Sequence, residues 1–166
     1  KPAKVEHTIS PSMDIQVASN FERLIFDICS CESSETLKLM NDLNEKGELI
    51  IKKENLSKIH KIFFSESLSD KETKLVIKEI YESEKKLVDP HTAVAIGVAN
   101  KISLENEVLI LGTAHPSKFP DVIIKETGKK PELPENLKKI LSKKEKFDEL
   151  SNDLEKVKNY IIDKCN

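Results

Sequence analysis

Tryptophan is absent from the 166 residues, tyrosine occurs twice, cysteine three times and glycine four times. So few glycines, beside 38% hydrophobic and 34% charged residues, exclude collagen-like and disordered classes and favour helix-rich globular structure. Cys29, Cys31 and Cys165 are an odd number and too few for a disulfide scaffold. The single residue between Cys29 and Cys31 is short of zinc-knuckle spacing, so reduced thiols in a cytoplasmic protein are expected. No apolar run approaches the ~20 residues of a membrane span, and the start lacks the basic-then-apolar order of a signal peptide. A net charge of −2 provides no overall field for nucleic acid or an anionic membrane. Neither partner is expected. Arginine is almost missing too: of 27 basic residues every one but Arg23 is lysine. Planar two-point binding of a phosphate or carboxylate is the task lysine does poorly, so that one position stands out.

Residues 5–9 (VEHTI) alternate as a half-buried strand does and end at Ser10-Pro11. Because the chain opens in mid-strand at Lys1, it is read as the C-terminal piece of something longer, or as a processed or trimmed chain. Ser19 and Glu22 have the spacing of a capping box, with Phe21, Leu24, Ile25 and Ile28 on one helical face. Leu37, Leu39, Met40 and Leu43 predict a second helix stopping before Gly47; Leu56, Ile59, Ile62 and Phe63 a third. Leu75, Val76, Ile80 and Tyr81 predict a fourth, boxed by Ser69 and Glu72. Asp89-Pro90 is a strong helix start, and the small residues of 93–99 predict close packing, against a sheet. Residues 108–111 (VLIL) read as a strand buried on both faces. A helix over 117–127 closed by Gly128, another from Pro134 to Leu141, and an amphipathic one carrying Phe147, Leu150, Leu154, Val157 and Ile161 complete the chain. Helix, buried strand, polar turn, helix is the α/β order, which binds ligands beyond the C-terminal strand ends.

Three constellations can carry chemistry. Ser12, Met13 and Asp14 precede Asn20 and Arg23 on the first turns of a helix, where N–H groups and a guanidinium make an anion site; the alternative is a surface arginine paired with Glu22 or Asp27. Asp89, His91 and Thr92 open another helix, either as ligand groups or as a plain cap beside an exposed histidine. Residues 113–119 (TAHPSKF) follow the buried strand, the position where α/β folds keep binding groups. No glycine-rich phosphate loop and no Ser/His/Asp order is present.

These segments carry a resemblance. SPSMDI at 10–15 running into SNFERLIFD at 19–27, DPHTAVA at 89–95 and LGTAHPSKFPD at 111–121 resemble, in order, the C-terminal part of threonine synthase of the longer bacterial and fungal type. The resemblance implies the C-terminal portion of an α/β, fold type II pyridoxal-phosphate enzyme, helix-rich with a partial sheet covered by helices. It implies a lyase converting O-phospho-L-homoserine and water into L-threonine and phosphate. The family's cofactor-bearing lysine (Ser-Phe-Lys-Asp) and its glycine loop (Gly-Asn-Phe-Gly) do not occur: Ser117-Lys118-Phe119 is no match for the first, and Asn20-Phe21 runs into Glu22-Arg23 rather than glycine. Both motifs lie upstream of SPSMDI in the family. No catalytic residue is therefore expected here, and the piece alone should be inactive without its missing N-terminal half.

Carried over residue by residue, Thr113 is the expected cofactor contact, its hydroxyl against the pyridine nitrogen. Arg23, Asn20 and Ser12 are expected around the substrate phosphate, with Asp89, His91 and Thr92 lining or bracing the same cleft. The implied organisation is 1–35 (strand, SPSMDI loop, SNFER helix) in the pyridoxal-phosphate domain, 36–86 as a helical insertion, 87–130 returning to the cofactor domain, and 131–166 as C-terminal helices. Two other readings stay open: a threonine-synthase-like phospho-lyase, and a non-catalytic helical interaction module.

Overall fold

The computed structural model describes residues 1–102 and 106–165. Its helices are α1 (Phe21–Ile28), α2 (Ser33–Lys46), α3 (Lys53–His60), α4 (Asp70–Glu84), α5 (Pro90–Ile102), α6 (Pro120–Thr127) and α7 (Leu154–Cys165), with short 3-10 turns at Pro11–Met13, Pro116–Lys118, Glu135–Leu137 and Ile140–Ser142. Two compact units divide the chain, Lys1–Glu132 and Leu133–Asn166. None of the described helices is long and apolar enough to cross a membrane.

Within the first unit, α1 packs on α2 and α3, and α4 packs on α5 and α6. Ile25, Ile28 and Cys29 form one buried cluster, with Leu24, Leu39, Ile51 and Ile59 around it. Ile77, Ala93 and Ile123 form the other, with Val76, Leu87, Val88 and Val122 around it. The expected stops hold: Gly47 and Gly128 end α2 and α6 at φ +69°, the left-handed conformation a glycine adopts without a Cβ clash. The Ser69 box also forms. Its hydroxyl accepts the Glu72 N–H at 3.3 Å while Glu72 Oε2 accepts the Ser69 N–H at 2.8 Å.

Several expectations need correction. Residues 5–9 are not a strand: the Thr8 N–H donates to Asp14 Oδ2 at 2.8 Å and the Ile9 N–H to Asp70 Oδ1 at 3.1 Å, so these donors go to side chains and not to a ladder. Residues 108–111 are neither a strand nor buried; Leu109 is 87% and Leu111 70% exposed. A strand needs a partner, and no strand is found among the described residues, so the helix-rich part of the α/β expectation is met and its sheet is not. Gly97 packs accordingly on a leucine: a Cβ there would stand 2.4 Å from Leu68 Cδ2 and 3.1 Å from Val76 Cγ2 of α4. Ser19 does not cap α1; Asn20 precedes it in helical conformation without a side-chain cap, and the Phe21 N–H bonds Ala18 O at 3.0 Å. Ile62 and Phe63 fall beyond α3 and are exposed.

In place of one helix over 117–127 there is a 3-10 turn at Pro116–Lys118 before α6, because Pro120 restricts the backbone of Phe119 away from helix. From Pro134 to Leu141 only isolated 3-10 turns form; so short a helix is marginal without a packed apolar face. The last helix starts at Leu154, where Asp153 Oδ1 accepts the Lys156 N–H at 2.9 Å, and leaves Phe147 and Leu150 outside it.

Candidate functional site

Asp89 organises the start of α5. Its Oδ1 accepts the His91 N–H at 2.9 Å and lies 2.9 Å from His91 Nδ1, while Oδ2 accepts the Thr92 hydroxyl. Asp89 is 1% and His91 4% exposed. Three donors and the positive end of α5 thus stabilise the buried carboxylate. On the far side of the ring, Nε2 faces the Ser12 N–H at 3.2 Å. That nitrogen must accept, so its partners place the imidazole proton on Nδ1. The Phe119 ring closes over the histidine, 5.0 Å between centroids and tilted by 53°.

The segment carrying Ser12 is fixed at further points. Thr8 Oγ1 donates to Asp14 Oδ1 at 2.7 Å and lies 3.1 Å from the Ser10 hydroxyl, and Asp70 takes the Ile9 N–H. The Thr8 N–H and hydroxyl together hold the Asp14 carboxyl below the usual carboxylate range. Gly112 lies beside Thr92, whose Oγ1 would be 3.9 Å from a Cβ on the glycine. Three segments far apart in sequence therefore converge: SPSMD, DPHT and the 112–119 loop.

Ser12, Asp89, His91 and Thr92 are brought together as expected residues of one place. Thr113 follows Gly112 in that loop and is exposed, its hydroxyl without a partner among the described residues. Arg23 and Asn20 line an open depression of about 830 Å³ with Ser19, Asp27, Ser33 and Thr36, and no hydrogen bond among the described residues links their side chains to Ser12, Asp89 or His91. Arg23 is exposed and has no carboxylate within ion-pair distance among the described residues. Neither Glu22 nor Asp27 pairs with it. Thr8, Asp70 and Phe119 were not singled out by sequence. Thr8 and Phe119 sit inside or beside the quoted motifs, whereas Asp70 reaches its partner across 61 residues, beyond any local pattern.

This helical arrangement is the one found in solved threonine synthases. The structure titled as PLP-bound threonine synthase from Brucella melitensis matches with a TM-score of 0.80 and 34% identity, over 97% of this chain and 35% of that one. The family described as "Threonine synthase, C-terminal" matches residues 92–161. Threonine synthase of Pseudomonas aeruginosa is 37% identical over 93% of this chain and 34% of its own length, and that of Saccharomyces cerevisiae 37% identical over 95% and 36%. The chain spans about a third of the length of these curated relatives. It belongs to the threonine synthase family and corresponds to a C-terminal part of it.

Proposed function

We propose that this chain is the C-terminal part of a pyridoxal-phosphate-dependent threonine synthase that converts O-phospho-L-homoserine and water into L-threonine and phosphate. The observation that carries the reading is the convergence of SPSMD, DPHT and the 112–119 loop on the Asp89–His91 pair. When bound, the cofactor supplies an electron sink for charge developing on the substrate carbon. The residues present fit one contact to it: Thr113 offers an exposed hydroxyl free of internal bonds. A neutral hydroxyl can hydrogen-bond a ring nitrogen but cannot hold a proton on it as a carboxylate would.

The other roles are proposed on the same footing. Arg23, exposed and free of carboxylate partners, clamps the substrate phosphate with Asn20 and the Ser12 hydroxyl, while Asp89, His91 and Thr92 line or brace the site. The cofactor lysine and the glycine loop belong to another part of the polypeptide, so the piece alone is inactive. In this organisation 1–35 and 87–130 join the cofactor domain, 36–86 is a helical insertion and 131–166 forms the C-terminal helices.

The test is to assay the complete polypeptide with O-phospho-L-homoserine for phosphate and threonine. Equal release of both supports the reading; phosphate without threonine makes it a phospho-lyase, and neither product leaves a non-catalytic module. In the active enzyme, Arg23→Lys should raise KM about tenfold, the effect of losing one two-point charge-assisted contact. Thr113→Val should change the cofactor's absorption and lower kcat with the fold intact. An unchanged KM makes Arg23 structural, and an unchanged spectrum removes Thr113 from the cofactor site.

A further inference from the structure

We propose that Asp89 and His91 form a positioning couple that sets the Ser12 segment and that neither side chain touches ligand. Every polar atom of the pair is already engaged. Asp89 Oδ1 serves the His91 N–H and ring Nδ1, its Oδ2 serves Thr92, and His91 Nε2 accepts the Ser12 N–H across 79 residues of sequence. With 1% and 4% exposure and the Phe119 ring 5.0 Å away, the couple is buried with each of its side-chain polar atoms already partnered inside the protein.

What the couple presents is different. Ser12 is exposed, and its hydroxyl has no partner among the described residues although its backbone is held. The Asp14–Thr8 and Asp70–Ile9 bonds fix the flanks of the same turn. His91 adds the central anchor, and it can do so only as the neutral Nδ1–H tautomer, which Asp89 selects. The arrangement follows the logic by which a carboxylate orients an imidazole in other functional sites, with a backbone N–H as the group finally placed.

The role of Ser12 toward substrate rests on the proposed function; the tautomer and the anchoring do not. The experiment therefore has arms that separate the two. In the complete holoenzyme, nitrogen-15 NMR of His91 should show Nδ1 protonated and Nε2 as a bare acceptor, and a proton on Nε2 would overturn the proposal even if no variant folds. His91→Gln places an amide oxygen near the Nε2 position, whereas His91→Asn places its polar atoms near Nδ1 and leaves Ser12 without an acceptor. His91→Asn should speed exchange of the Ser12 amide about tenfold and raise KM for O-phospho-L-homoserine by a similar factor with kcat little changed; His91→Gln should restore most of both. Equal damage by the two substitutions, or a Ser12 amide indifferent to His91→Asn, refutes the couple. A freed amide with unchanged KM leaves the couple standing and removes Ser12 from the substrate site.

Discussion

The α1–α3 group and the α4–α6 group each centre on a cluster of three buried apolar residues, yet they close differently. Around Ile25, Ile28 and Cys29, open depressions of about 570, 650 and 830 Å³ are lined by residues of the first 56, including half-covered Phe21, Met40 and Leu43. Around Ile77, Ala93 and Ile123 the fit is tight: Gly97 admits the Leu68 side chain where a Cβ would force it to shift, and Asp89 and Thr73 are buried with their polar atoms bonded. A tightly fitted core cannot relax around a lost atom, whereas one beside open space can.

Truncation should expose that difference most. Ile25 and Ile77 are both 0% exposed, but Ile77→Ala should cost about 4 kcal/mol and Ile25→Ala about 2, because the second cavity can collapse toward a groove. Hydrogen exchange of α4 and α1 amides in the complete protein measures both, and equal losses would break the comparison. Next comes overpacking. Gly97→Val drives a side chain into Leu68 Cδ2 and Val76 Cγ2 and should cost about 2 kcal/mol, with Leu68→Ala restoring part of it; Gly47→Ala, in open space at φ +69°, should cost about 1 through backbone strain alone.

Thiol chemistry sharpens the picture inside the looser group. Burial, and then the charge of Glu35, push the Cys29 thiol up, whereas Cys31 is exposed. Cys29 should alkylate on the order of tenfold more slowly than Cys31 at neutral pH; matched rates would mean the α1–α3 core opens freely. The smallest effect is electrostatic. The Ser69 hydroxyl and N–H, with Lys101 beyond them, bring Glu72 from 4.5 to about 2. A lowered folded-state pKa contributes stability above 4.5 that is lost as pH falls from there toward 2. Glu72→Gln should flatten acid sensitivity of α4 across that window, and an unchanged profile would show the cap to be idle.

The two regions were also unequally legible. Asp89-Pro90, Ser69/Glu72 and the glycine stops are local chemistry, and they stand where the sequence places them. Ser19/Glu22 has the same spacing as Ser69/Glu72 but no box, because the chain reaches α1 through a turn closed by Ala18 O. The segments at 5–9 and 108–111 have strand-like patterns, yet a pattern supplies no partner strand. Arg23 was legible as an oddity of composition and Asp70 was not legible at all, since its bond to Ile9 depends on how α4 is placed. Thr113 could be matched by motif, while its exposure could only be seen in the fold.

The Ser12 amide finds its acceptor 79 residues later in the chain. On a ribosome adding about 5–20 residues per second, the SPSMD turn is made roughly 4 to 16 seconds before the histidine it needs. Over that interval only the nearer bonds, Thr8 to Asp14 and then Ile9 to Asp70, can hold it.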